Sequence, residues 1–247
     1  MTGMLASVTS ITEANIAVNE KVDIIDLKNP REGALGALHV DILREVVKSI
    51  NGAITTSATV GDINPNDPGL LEAINNIAKT GVDIVKVGLF DTQASDYFIK
   101  TISRAVEQGI RLVIVLFAED YFDPKKYEAL MQTGISGIML DTKGKEGQNL
   151  TSILGTDILS DFINISRHYR LMTGLAGSLK YKDIEALLKI NPDYLGFRGA
   201  LCSGNKRINQ LDEFKIKKIR NAIPQTENIN YYFKNSIEEA LINGTMA

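Results

Sequence analysis

Eight times along this chain a short run of apolar and β-branched residues is followed by a segment whose apolar residues recur at helical spacing. No other feature constrains the fold as much. Strands separated by helix-length segments cannot pair as tight hairpins. They form a parallel sheet whose crossovers are the helices. The strand-like runs lie at residues 4–10, 22–28, 53–62, 81–89, 111–118, 137–142, 171–177 and 194–199. Helices are expected over 12–20, 40–50, 69–79, 95–108, 124–133, 155–168, 181–189 and 209–220. Ser10 or Thr12 is placed to cap the first. Asn51-Gly52, Gly109, Gly134 and Asn191 mark helix ends. Eight such units suit a closed (β/α)8 barrel of the TIM type, an α/β fold that typically takes about 250 residues. An open doubly wound sheet is the alternative.

The barrel is favoured by where polar residues interrupt the apolar runs. Lys28, Lys86, Asp141, Ser178 and Arg198 fall at the C-terminal ends of five different strands. Barrels build their sites on that face. No linker or low-complexity stretch divides the chain. One domain is therefore expected over residues 1–222, followed by a C-terminal extension over 223–247 with a further helix near 235–242.

Composition removes several classes of function. The 247 residues carry a net charge of −3 and no block of lysine and arginine, which argues against nucleic-acid binding. No apolar stretch is long enough to span a bilayer, and no secretory signal opens the chain. Cys202 is the one cysteine, so no intramolecular disulfide forms, in keeping with a reducing cytoplasm. His39 and His168 are too few for a histidine-rich metal centre. Glu119 and Asp120 are adjacent, so in a strand they point to opposite faces, and no metal is expected. Neither a P-loop nor a dinucleotide fingerprint is present, and no cofactor is expected.

The chemistry concentrates at strand ends. Asp26 and Lys28 are two residues apart and share one face of their strand. Lys86 shares a face with Ile84 and Gly88 inside an apolar run, where a lysine is costly to bury without a partner or a function. Alternate strands fill one layer of a barrel interior, so the second and fourth strands bring both amines into one mouth. A neutral amine attacks a carbonyl to form a Schiff base, and a second lysine or a carboxylate then moves the proton. Asp26 and Asp141 are the candidate partners. Thr55, Ser57 and Thr59 put hydroxyls on one face of the third strand, to line a polar pocket or simply to pack. Gly177-Ser178 and Arg198-Gly199-Ala200 end strands seven and eight. The loops after those strands are where barrels commonly hold phosphate, with backbone N–H groups and an arginine as donors. A small phosphorylated aldehyde or ketone is the expected substrate, and a closed barrel with a helical tail is expected to self-associate.

Several motifs taken together are more specific than any one. They are Asp26-Leu-Lys28-Asn-Pro-Arg-Glu-Gly-Ala-Leu-Gly36, Ser57-Ala-Thr-Val-Gly-Asp62, Lys86-Val-Gly88, Met139-Leu-Asp141-Thr142, Leu175-Ala-Gly-Ser178 and Arg198-Gly-Ala200. On these the chain resembles, over about residues 4–215, the (5-formylfuran-3-yl)methyl phosphate synthases, also called 4-(hydroxymethyl)-2-furancarboxaldehyde-phosphate synthases. These act in methanofuran biosynthesis in methanogens and have relatives in methylotrophic bacteria. The resemblance implies a lyase of the cytoplasm that condenses two glyceraldehyde 3-phosphate molecules, with loss of phosphate and water, into a furan aldehyde phosphate. One triose first isomerises to dihydroxyacetone phosphate. It further implies Lys28 as the Schiff-base residue, Lys86 as general acid/base, and Asp26, Asp141 and a lysine of the following loop as the remaining site groups. By spacing that last lysine is Lys145, with Lys143 as competitor. The stretch Phe117-Ala-Glu-Asp120 departs from the family's usual Tyr-Ala-Asp. Two rival readings are another Schiff-base aldolase or isomerase of triose phosphates, and a barrel that binds a phosphometabolite without turnover.

Overall fold

The computed structural model describes residues 2–120, 123–144 and 148–225. Eight parallel strands close into a barrel in chain order, β1 to β8, with β8 returning to β1. They are β1 Gly3–Val8, β2 Ile24–Leu27, β3 Thr55–Thr59, β4 Ile84–Gly88, β5 Leu112–Phe117, β6 Gly137–Asp141, β7 Met172–Leu175 and β8 Tyr194–Phe197. The crossovers carry α1 Ile11–Asn19, α2 Val40–Ile50, α3 Leu70–Ala78, α4 Asp96–Glu107, α5 Pro124–Met131, α6 Leu150–Ile153, α7 Thr156–His168 and α8 Ile184–Lys189; α9 Glu213–Ala222 follows β8. The closed barrel is the expected one, and the open sheet is excluded.

Helix α2 shows why the periodicity was readable. Leu43, Val46 and Ile50 form its buried stripe, and Asn51 ends it in the left-handed conformation at φ 48°. Ser10, of the two expected caps, is the one that accepts from the Glu13 N–H at the start of α1.

Three local expectations need correction. A short helix, α6, precedes α7; Asn149 caps it, accepting from Ser152 N. Residues 181–183 form a 3₁₀ turn ahead of α8 rather than its first turn. The last helix begins at Glu213, not near 209. Before it the chain makes two 3₁₀ turns, Gly199–Leu201 and Ser203–Asn205, and Cys202 bridges back to Leu211. Asp212 then caps α9 by accepting from Lys215 N. The C-terminal residues 226–247, with the helix expected near 235–242, lie outside the described residues.

The alternation of side chains along each strand sorts the core into two shells. Ala6, Ile25, Val85, Ile114, Leu140 and Leu195 face outward and pack under the helices. Leu5, Ile24, Ile84, Val113, Met139 and Tyr194 face inward and fill the barrel. Tyr194 fits because its neighbour is Gly174, where a Cβ would lie 2.3 Å from the tyrosine ring.

The N-terminal end of the barrel is fastened by aspartates that immediately precede strands. Asp83 accepts from both the N–H and the hydroxyl of Thr56, at 2.7 and 2.8 Å. Asp193 does the same with Thr173, both at 2.7 Å. Asp23 accepts from Met4 N at 2.6 Å and pairs with Arg220, which ties α9 to the barrel floor.

Candidate active site

The opposite end of the barrel carries the site. Asp26 is the kind of residue a core rejects: a carboxylate with no exposure at all. It is accepted because donors surround it. Lys86 Nζ lies 2.8 Å from Oδ1, Ser57 donates to the same oxygen at 2.7 Å, and Ser7 donates to Oδ2 at 3.0 Å. Burial works to raise the Asp26 pKa. The charges of Lys86 and then Lys28, with hydrogen bonds from Lys86 and Ser57, outweigh it and hold the carboxyl below its ordinary value.

A second lysine–carboxylate pair lies in the same cavity. Lys28 follows β2 directly, and its N–H continues the ladder to the Val8 carbonyl at 3.2 Å. Its Nζ is 3.8 Å from Asp141 Oδ2, at the end of β6. Asp141 Oδ1 accepts from the Thr142 N–H at 2.7 Å, which fixes the carboxylate plane. The two pairs differ in closeness and in access. The Lys86 side chain is 2% exposed and that of Lys28 10%.

The glycine loop after Lys28 is folded by the third strand. Asp62 accepts from Ala34 N and Leu35 N at 2.9 and 2.7 Å, and Thr59 donates its hydroxyl to the Gly36 carbonyl at 3.0 Å. Gly33 has φ +96°, and a Cβ there would lie 2.0 Å from Asp62 Oδ2. The loop thereby lays Ala34 and Leu35 onto the inner core, against which Phe90 also packs. Of the three hydroxyls on that face of β3, Ser57 serves the site, Thr59 anchors the loop, and Thr55 is buried.

What remains open is a cavity of about 770 Å3. Asp26, Lys28, Lys86 and Asp141 line its inner part, and Gly177, Ser178, Gly199 and Ala200 line it from the loops after β7 and β8. Arg198 also borders the cavity, but its donors are engaged elsewhere. Nε donates to Arg207 O, Nη1 to Ser7 O and Glu13, and Nη2 to Glu13 and Asn209 O. Its guanidinium braces the β8 loop against α1. A different arginine, Arg207, lines the cavity and donates through Nη2 to the Gly33 carbonyl at 2.6 Å. The sequence offered no sign of it, because its place depends on the turns between β8 and α9.

The loop after β6 is held from the neighbouring β5 end. Glu119 accepts from Lys143 N and Gly144 N, each at 3.0 Å. Lys143 Nζ lies 2.6 Å from the Asp120 carboxylate. Lys145 lies outside the described residues. Cys202 is buried, donates to the Arg198 carbonyl, and burial pushes its thiol up to about 11, far from the reactive thiolate. Among the described residues no group of three or more His, Cys, Asp or Glu side chains is placed to hold a metal ion, and no helix is long and apolar enough to cross a membrane.

The chain is similar over most of its length to known proteins. The sequence profile described as 4-HFC-P synthase matches residues 4–220. The chain belongs to the 4-HFC-P synthase family. It is 34% identical to the (5-formylfuran-3-yl)methyl phosphate synthase of Methanosarcina mazei, across 87% of this chain and 97% of that one. It is 38% identical to a protein of Methylorubrum extorquens that bears the same name provisionally, across 86% of this chain and 88% of that one. Relatives of 4-HFC-P synthases in fold are more distant in sequence. The 3-hexulose-6-phosphate synthase of Salmonella typhimurium superposes with a TM-score of 0.64 at 17% identity, covering 90% of this chain and 98% of its own. That likeness shows the shared barrel. Membership of a synthase family makes this chain an enzyme.

Proposed function

We propose that this enzyme condenses two molecules of glyceraldehyde 3-phosphate into (5-formylfuran-3-yl)methyl phosphate through a Schiff base on Lys28, as a step toward methanofuran or an analogue. The observation that carries the reading is the pair of lysine–carboxylate contacts within one cavity, Lys28 with Asp141 and Lys86 with Asp26. The names of the relatives supply the product. The atoms balance without an oxidant: two triose phosphates equal the furan phosphate, one inorganic phosphate and two waters.

In this reading one triose isomerises to the ketone, and the Lys28 amine attacks its carbonyl carbon. A C–N bond forms and the oxygen leaves as water. The first triose is now an iminium; on the second, loss of the C2 proton beside the aldehyde expels its phosphate and leaves a three-carbon enol. Lys86, held by the ionised Asp26, carries that proton and returns it to leaving oxygens. The terminal carbon of that enol then bonds to the iminium carbon, which becomes the branch point that carries the CH2–phosphate. The free hydroxyl of the first triose adds to the ketone of the second, and loss of the remaining water and of the Lys28 amine completes the aromatic ring. Lys28 suits the nucleophile because it is the nearer to the open cavity and its ion pair is the looser. Lys86 suits the proton carrier because it is buried on a fixed carboxylate. Gly177, Ser178, Gly199 and Ala200 hold one phosphate by their backbone, on a loop that Arg198 braces.

The test is product analysis with glyceraldehyde 3-phosphate alone. The expected result is a furan aldehyde chromophore and one inorganic phosphate per product formed. Condensation or isomerisation without phosphate release would instead identify an aldolase or isomerase. Binding without turnover would leave only a phosphometabolite-binding barrel.

A further inference from the structure

We propose that Arg207 binds the phosphate of the second triose, the one not joined to Lys28. The assignment rests on the condensation reading above and deepens it. Two triose phosphates bring two dianions into one cavity, and the β7 and β8 loops account for one. The second needs its own cation. Of the cations that line the cavity, Lys180 and Lys182 are exposed and follow the β7 loop given to the first phosphate, and most of the others are already committed. Lys86 and Lys28 face Asp26 and Asp141, and Arg198 spends five hydrogen bonds on protein acceptors. Lys215 Nζ donates to Cys202 O and Asn205 Oδ1, each at 2.8 Å, and Lys218 sits 4.7 Å from the Tyr181 ring centroid.

Arg207 differs. Among the described residues its guanidinium has one hydrogen-bond partner, the Gly33 carbonyl. That bond crosses the mouth from the β8 loop to the loop that follows Lys28, and so aims the fork. Asp141, the partner of Lys28, acts on Arg207 by charge, as does Asp62. Arg207 and the Lys28–Asp141 pair line the same cavity. A planar fork with donors to spare is suited to a phosphate. A plainer role is also available to it: a strap that fastens the two loops through Gly33. The two roles differ in whether the substrate's phosphate matters.

The experiment compares wild type, Arg207→Met and Arg207→Lys. Dihydroxyacetone phosphate is supplied with either glyceraldehyde 3-phosphate or methylglyoxal, whose enol is what glyceraldehyde 3-phosphate becomes on losing phosphate, and carbon–carbon bond formation is followed by mass spectrometry. The adduct of dihydroxyacetone phosphate with Lys28 is trapped separately by borohydride. The Met variant is expected to keep the adduct within about threefold and to lose about 100-fold in kcat/KM for glyceraldehyde 3-phosphate, the worth of a charged bidentate contact. With methylglyoxal the same variant is expected to match wild type within about threefold. The Lys variant should recover part of the loss, since it keeps charge without the fork. Equal losses with both aldehydes would overturn the assignment in favour of the strap. Loss of the adduct together with condensation would also overturn it, placing Arg207 on the first triose. A wild type that forms no Lys28 adduct fails differently: it overturns the Schiff-base reading, and this assignment with it.

Discussion

The two ends of the barrel use aspartates in opposite ways. At the N-terminal end Asp83 and Asp193 accept from a backbone N–H and a threonine hydroxyl of the preceding strand. Those partners are covalently part of the sheet and cannot lose a charge. At the C-terminal end Asp26 and Asp141 face lysine amines. Those partners can give up a proton or form a bond. The same residue type thus fastens one end of the barrel and supplies changeable charge at the other, as barrels separate stability from chemistry.

Substitutions at the two ends should therefore part company. Lys28→Ala is expected to lower turnover by roughly 10⁴-fold or more, as loss of a nucleophile does, with a melting temperature close to wild type; steady-state rates and a thermal melt check both. Lys86→Met should cost about 10²–10⁴-fold in turnover, the range for a general acid/base. It should also destabilise the fold by about 3–5 kcal/mol, because Asp26 would keep a buried charge without its counterion. Urea unfolding beside kinetics would show whether both losses occur. At the other end, Asp83→Ala should cost about 1–3 kcal/mol of stability, leaving Thr56 donors unpaired, while kcat stays near wild type. A large loss of kcat in a folded Asp83→Ala protein would break the division between the ends.

Acid sharpens the comparison further. The Asp26 carboxyl is held below its ordinary value in the folded chain, so protonation favours the unfolded state. Its stabilising contribution is complete above the value of a free aspartate, about 3.9, and is lost as pH falls through the lower folded value. Urea unfolding of wild type and Asp26→Asn should show a gap in stability that is constant from neutral pH down to about 5 and closes below about 4. The smallest effect is expected from Ser57→Ala. It removes one of the donors to Asp26 and should cost about 1 kcal/mol with a few-fold change in turnover.

The C-terminal end was far more legible in the sequence than the N-terminal one. A lysine within Ile84-Val-Lys86-Val-Gly88 stands out because burial of an unpartnered amine is unfavourable. An aspartate before a strand does not, since it reads as a turn residue. The recurrence of Val-Asp-Ile at 22–24 and 82–84 was the available signal, but its meaning depends on the strand before, where Asp83 meets Thr56 and Asp23 meets the Met4 N–H. The choice of arginine shows the same limit. Arg198 sits where a phosphate ligand belongs by chain position, yet Glu13 on α1 takes its guanidinium. Arg207 reaches the cavity only through the turns around Gly204, whose positive φ no periodicity announces. Hydrophobic period fixes strands and helices locally, whereas side-chain pairing across the mouth is settled by residues distant in sequence.

The central claim is that Lys28 forms the bond to substrate while Lys86 on Asp26 moves protons. The most direct measurement is to incubate the protein with glyceraldehyde 3-phosphate, reduce with borohydride, digest and map the modified lysine by mass spectrometry. The account predicts an adduct on Lys28 that is absent from Lys28→Ala and still present in Lys86→Met. An adduct on Lys86, or none on any lysine of protein that turns over substrate, would contradict it.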